Sequence, residues 1–182
     1  IECCGLKLGV NICEDTWGRE GPLLANSGDG DKHAAHEAST APKAEAPGAA
    51  RRAGAQILLV LNASPYHLRK QPLRYNVMRE RVAETGIPLV YVNMVGGQDE
   101  LVFDGASFAL DAGGDITHQL PMFKEALAIV EVKEGRLTPG ARAPALSAEA
   151  EVYEALCLGV HDYVTKNGFP GVLRSEEHTS EL

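Results

Sequence analysis

Cys13 is the residue whose type and setting best suit covalent chemistry. It follows Leu6-Lys7-Leu8-Gly9-Val10-Asn11-Ile12, which reads as a strand, and it opens a turn-like stretch, Cys13-Glu14-Asp15-Thr16-Trp17-Gly18. A thiol at a strand end can attack a carbonyl carbon while N–H groups of the turn stabilise the oxyanion. The competing reading is a buried structural cysteine, since free Cys is among the most buried residue types. Glu14 and Asp15 read as side chains that fix the turn by accepting backbone hydrogen bonds, not as a catalytic pair. A protease-like dyad of Cys13 with His67 does not suit the context. His33 and His36 lie in a low-complexity stretch without further ligands, so no metal site is expected there. Cys3 and Cys4 read as incidental.

A sheet must position that thiol. Ile57 to Leu61 is a continuous apolar run, as in strands buried on both faces, and it ends in the polar turn Asn62-Ala63-Ser64-Pro65. Gln71 to Thr85 reads as a helix, with Pro72 in its first turn and Gly86 as its stop. Leu73, Val77, Met78 and Val82 share one broad face of it. Leu89 to Met94 reads as another buried strand. Leu101 to Leu110 and Ile116 to Pro121 read as strands joined by a hairpin-like turn at Asp111–Asp115, and Leu127 to Val132 as one more. Gln98, Asp99, Glu100 and Asp104 cluster beside these strands and could line a pocket or serve the structure. Strands alternating with a helix, then strands in succession, suggest a layered α/β or α+β fold. Residues 26–50 contain no apolar side chain larger than Ala and read as a flexible insert, with a short helix resuming near 49–54. Residues 135–150 read as a linker. Ser147 is placed to cap a last helix whose apolar stripe is Leu156, Val160 and Val164. The polar stretch 174–182 changes character and reads as translated sequencing adapter.

The chain has 182 residues, of which 45% are hydrophobic and 23% charged, an ordinary balance for a soluble globular protein. A net charge of -8 argues against nucleic acid and against anionic membrane surfaces as partners. No apolar run approaches the roughly 20 residues of a membrane helix. The 4 cysteines include an adjacent pair and no Cys-x-x-Cys spacing, so a reducing, cytoplasmic setting is expected. The chain opens at Ile1 directly into a strand, and both ends are expected to be cuts in a longer protein.

Gly9-Val10-Asn11-Ile12-Cys13-Glu14-Asp15-Thr16-Trp17 resembles the nucleophile segment of the nitrilase (carbon–nitrogen hydrolase) superfamily. More narrowly, it is similar to the glutaminase domain of the glutamine-dependent NAD synthetase family. Leu61 to His67 with Lys70, the run Val90 to Gly105, and Asp162-Tyr163-Val164 with Lys166 to Phe169 carry the same resemblance in the same order. The resemblance implies a nitrilase-like α-β-β-α sandwich, incomplete at its N-terminus. Residues 1–134 would be part of the glutaminase domain. Residues 151–173 would open the synthetase domain with the first helix of an adenine-nucleotide α-hydrolase-like fold.

The family's chemistry implies a Glu–Lys–Cys triad. Cys13 would be the nucleophile, the Glu its base, and the Lys a stabiliser of the tetrahedral intermediate, with Glu and Lys expected before Ile1. The resemblance further implies that Ser64 and Lys70 bind glutamine, a role that suits a hydroxyl donor and a cation facing a carboxylate. Read singly, Ser64 is a turn residue and Lys70 a surface charge. The implied parent is a ligase of homo-oligomeric assembly. It hydrolyses glutamine and passes ammonia to the amidation of nicotinic acid adenine dinucleotide, using ATP and Mg²⁺, to give NAD. The ATP site is expected beyond Leu173, so neither half-reaction is expected of this chain alone. A stand-alone nitrilase-type amidase and a non-catalytic module of the same fold are the alternatives.

Overall fold

The structure, a computed structural model, describes residues 1–17 and 45–173. The chain begins with an antiparallel hairpin of β1 (Glu2–Cys3) and β2 (Leu6–Ile12), and a single 3-10 turn, Cys13–Asp15, follows β2 directly. Helix α1 (Glu45–Arg52) leads to β3 (Ile57–Asn62), then α2 (Lys70–Thr85) and β4 (Leu89–Asn93). A second hairpin joins β5 (Val95–Gln98) to β6 (Leu101–Asp104), and a third joins β7 (Phe108–Leu110) to β8 (Ile116–Gln119). The short pair β9 (Val132–Lys133) and β10 (Arg136–Leu137) precedes α3 (Ala148–Lys166).

The strands β1, β2, β3, β4, β7 and β8 form one sheet in that spatial order. β2, β3 and β4 run parallel, and β7 and β8 return antiparallel on the far side. Register explains the two-sided character of the central strands. Val10 pairs with Leu59 and Leu59 with Val90, while Ile12 pairs with Leu61 and Leu61 with Val92. These residues point to one face, and Ile12, Leu61 and Val92 remain exposed there. On the opposite face Leu58, Val60, Leu89, Tyr91 and Phe108 are buried against Val77, Met78 and Val82 of α2, with Trp17 in the same cluster. The runs at Ile57 and Leu89 are apolar throughout: one face packs on α2, and on the other Ile57, Leu59 and Val90 pack near Val130, Val132 and Leu137.

The strand from Leu6, the strand from Ile57, the helix ending at Thr85 and the hairpin about Asp111 lie where the sequence places them. Five features differ. Leu101 to Leu110 is two strands, not one: Gly105 and Ala106 take positive φ (64° and 52°) and swing the chain from the partner β5 to the partner β4. A Cβ at Gly105 would lie 2.5 Å from Val95 Cγ2, so glycine alone allows this corner. Residues 124–130 form no strand, and Leu127 and Ile129 are 96% and 87% exposed, because no described strand lies beside them to complete a ladder.

α1 begins at Glu45, inside the stretch expected to be irregular, and its proline, Pro47, falls in the first turn, where no helical N–H is lost. The rest of that stretch, and residues 174–182, lie outside the described residues. The segment expected as a linker is pinned along β8: Gly140 N–H donates to Thr117 O at 3.1 Å, Gln119 N–H to Ala141 O at 3.1 Å, and Ala143 N–H to Gln119 O at 2.8 Å. An edge strand offers such unpaired groups, and this segment takes them. Ser147 does cap α3, its Oγ accepting from Ala150 N–H at 3.2 Å. However, Leu156 and Val160 point outward, and α3 turns Ala155, Gly159, Asp162 and Lys166 toward the β5–β6 hairpin.

Gly9 shows how closely α1 sits on the sheet. A Cβ there would meet Ala50 Cβ at 2.8 Å and Leu58 Cδ2 at 3.0 Å, in a site without room to yield. Gly9→Ala is expected to lower stability by about 1–3 kcal/mol through overpacking, read as a lower urea midpoint at unchanged slope. An unchanged midpoint would mean that α1 is not held against β2.

Candidate active site

The parallel strands β2, β3 and β4 all end at the same edge of the sheet. Open α/β sheets present ligand sites at the carboxyl ends of their parallel strands. Here those ends carry Cys13 after β2, Ala63 and Ser64 after β3, and Asn93 closing β4. Lys70, the first residue of α2, comes to the same edge, because α2 follows the loop that leaves β3.

Cys13 is half-buried and takes a φ of 45°. Left-handed backbone at a non-glycine residue costs on the order of 1 kcal/mol and is kept only where the surroundings dictate it. Those surroundings are specific. Cys13 O accepts the Thr16 N–H at 3.2 Å and the Thr16 hydroxyl at 3.0 Å, and Asp15 Oδ2 accepts the Ile12 N–H at 2.9 Å. Asp15 thus fixes the turn, as the sequence suggests. Burial pushes the Cys13 thiol above its ordinary pKa, and the Glu14 carboxylate adds to that. The backbone N–H groups of Ala63 and Glu14 pull the other way. Burial thus favours the neutral thiol, with the Ala63 and Glu14 backbone amides close enough to favour the thiolate. Such amides are the donors that a developing negative charge would need.

Ser64 is gripped at its main chain. Its N–H donates to Asn93 Oδ1 at 2.8 Å, and its carbonyl accepts from Arg74 Nη2 at 2.8 Å and from Asn93 Nδ2 at 3.3 Å. Arg74 has no exposed surface and makes a two-pronged ion pair with the equally buried Asp104, at 2.6 Å and 2.7 Å. Gln71 completes the arrangement, its Oε1 accepting from Arg74 at 3.1 Å and its amide donating to Ala106 O at 3.0 Å. Asp104 is thus a structural member of the cluster Gln98–Asp104, while Gln98 and Asp99 face each other in the exposed β5–β6 turn.

The Lys70 ammonium is largely buried, 5.6 Å from the centre of the Trp17 ring. Burial and the neighbouring Arg74 lower its pKa to about 8, against the opposing pull of Asp104, Glu14 and Cys13. Its folded value lies below its unfolded one, so the unfolded chain binds more protons between about pH 8 and 10.5. The strain of burying this charge is present below pH 8 and relieved as pH rises through that window. Cys13, Ser64 and Lys70, singled out in the sequence, are therefore brought to one edge.

His67 is not brought into that arrangement: its Nδ1 faces Leu68 O at 3.0 Å, and no hydrogen bond joins it to Cys13 among the described residues. Among the described residues no group of three or more His, Cys, Asp or Glu side chains could share a metal ion, and no helix is long and apolar enough to cross a membrane. A cavity of about 250 Å³ lined by Val90, Val92, Asn93, His118 and Leu127 does not include Cys13, Ser64 or Lys70.

The carbon–nitrogen hydrolase family pattern matches residues 1–142, and the chain belongs to that family. Its fold is the nitrilase-like α/β arrangement. The chain is 40% identical over 173 residues to the glutamine-dependent NAD(+) synthetase of Rhodobacter capsulatus, covering 92% of this chain and 27% of that protein. Identity to the enzyme of the same name from Acinetobacter baylyi is 35% over 175 residues, covering 95% and 28%. The solved structure of glutamine-dependent NAD+ synthetase from Acinetobacter baumannii, in complex with ADP, matches with a TM-score of 0.72 at 35% identity, covering 94% and 28%. The chain thus spans between a quarter and a third of the length of these relatives.

Removing one partner of a buried ion pair leaves an uncompensated charge. Asp104→Ala is expected to cost about 3–5 kcal/mol, measured as a urea midpoint. Replacing both partners (Arg74→Met with Asp104→Leu) is expected to recover much of that stability while leaving the Ser64 main chain held by Asn93 alone.

Proposed function

We propose that the protein carrying this chain is a glutamine-hydrolysing NAD synthetase and that Cys13 is the nucleophile of its glutaminase site. The observation that carries the reading is the meeting of Cys13 with the Ser64 loop and the Lys70 cation at the carboxyl edge of the parallel strands. The likeness to synthetases of that name supports it.

The chemistry follows from the groups present. The Cys13 thiol loses its proton to a base, and its sulfur attacks the side-chain amide carbon of glutamine. The oxygen of the tetrahedral intermediate gains charge beside the Ala63 and Glu14 amides. The C–N bond breaks, ammonia leaves with the transferred proton, and water hydrolyses the thioester to glutamate. The Lys70 ammonium and the Ser64 hydroxyl face the α-carboxylate of glutamine. The raised thiol pKa means that Cys13 needs its base. In the family pattern this is the triad Glu, assisted by the triad Lys, both supplied by other parts of the protein. Cys13 by itself therefore turns over little.

The reading extends to the second reaction, amidation of nicotinic acid adenine dinucleotide. Residues 151–173 are read as opening the domain that performs it. That reaction uses ATP and Mg²⁺. That half is assigned elsewhere in the protein, in the cytoplasm and within a homo-oligomer.

Two measurements test the reading on the full-length protein. Cys13→Ala is expected to abolish glutamine-supported NAD formation and to leave ammonia-supported formation intact; loss of neither would exclude Cys13 as the nucleophile. The Lys70 ammonium is lost as pH passes about 8, so the KM for glutamine is expected to rise above that pH. Lys70→Arg, which stays charged, is expected to flatten the rise. A KM indifferent to pH in the unsubstituted protein would remove Lys70 from carboxylate recognition.

A further inference from the structure

Helix α3 meets the rest of the fold through polar groups. The Gly97 N–H donates to Asp162 Oδ2 at 2.7 Å, Lys166 Nζ donates to the Gly97 carbonyl at 2.6 Å, and Lys166 and Asp162 pair at 3.0 Å. Both backbone polar groups of one residue in β5, Gly97, are thus taken by charged side chains of one helix. Burial alone would raise the Asp162 carboxyl, yet the Gly97 amide, His161 and Lys166 outweigh it and hold its pKa near about 2. The backbones come close enough that a Cβ at Gly97 would stand 3.1 Å from Asp162 Cβ and 3.2 Å from Gly159 Cα. Gly159 in turn packs against Val102 of β6. The helix and the β5–β6 hairpin form one unit.

That unit reaches the Ser64 loop by two routes. Through β6, Asp104 holds Arg74, which holds the Ser64 carbonyl. More directly, the Tyr66 N–H donates to Val102 O at 2.7 Å, and the Tyr66 hydroxyl donates to Glu151 Oε2 at 3.3 Å. The Tyr66 ring is set edge-on against Phe123, centroids 5.1 Å apart. Burial and the Glu151 carboxylate raise the Tyr66 phenol to about 12, so it remains a hydrogen-bond donor across the working pH range. Tyr66 lies between Ser64 and Lys70 in sequence, with its main chain tied to the hairpin and its tip tied to α3.

We propose that Tyr66 and Glu151 are positioning residues for glutamine, through which helix α3 sets the placement of the Ser64–Lys70 loop. This rests on the reading of that loop as the glutamine site. Neither residue touches the reacting atoms. Tyr66 carries the position of the helix to the loop, so a site on the hydrolase side is shaped by a helix assigned to the synthetase side. Losing the bond should loosen glutamine without altering the thiol chemistry.

The test uses the full-length protein with Tyr66→Phe, Glu151→Ala and the pair together. Tyr66→Phe keeps the ring on Phe123 and removes only the hydroxyl, so the fold is spared. Each single change is expected to raise the KM for glutamine roughly threefold to tenfold, as expected for one hydrogen bond, with kcat little changed. The double variant should be no worse than the worse single one, because both delete the same bond. Ammonia-supported NAD formation should be unaltered. Unchanged KM in both single variants, or additive losses in the double, would overturn the proposal. So would an ammonia-supported rate that falls in step with the glutamine-supported one, which would make the bond a support of α3 alone. If the unsubstituted protein does not consume glutamine, the reading of the site fails, and the proposal with it. If it does and KM holds in the variants, only the proposal fails.

Discussion

A guanidinium with no exposed surface constrains everything around it. Taking such a charge out of water is tolerable only when a carboxylate meets it with good geometry and its remaining donors find acceptors. Arg74 meets those terms through Asp104, Gln71 and the carbonyl of Ser64. Each partner comes from a different piece of chain: Asp104 ends β6, Gln71 sits one turn earlier on α2, and Ser64 lies in the loop after β3. The pair contributes little net stability compared with an apolar replacement, but it fixes which loop sits where. The Ser64 loop is set against the thiol edge because displacing it would strip an acceptor from a buried cation.

The elements were the most legible part of the sequence. Long apolar runs with turn chemistry at their ends gave β3, β4 and α2 to within a residue or two, because period and punctuation both mark them. Leu101 to Leu110 was misread because hydrophobicity continues through a corner. The only local sign of that corner is Gly105. The stripe of α3 was misread for a different reason. Its docking face is made of Gly159, Asp162 and Lys166, which no count of apolar residues would choose.

The site was legible in its chemistry and illegible in its support. Cys13, Ser64 and Lys70 stand beside recognisable turns and strand ends. The sequence carries a signal for Arg74 too. Arg74 and Arg81 occupy the same helical stripe as Val77, Met78 and Val82, and a charged residue on an apolar stripe needs a buried partner. Asn93, which closes β4 and grips Ser64 from the other side, gave no such signal. An asparagine at a strand end is most simply a turn residue, and only the spatial neighbourhood of β3 and β4 gives it work.

The left-handed backbone at Cys13 has an evolutionary consequence. A position held at a φ of 45° accepts glycine more readily than cysteine, since a side chain there is resisted by the following carbonyl. Holding the thiol in place therefore runs against the local conformational preference of the chain. Were selection for that thiol to lapse, drift at this codon would tend toward glycine or asparagine, and the fold would gain stability by it. The strand end that retains a side chain against that preference is therefore a position where the local backbone and the side chain pull in opposite directions.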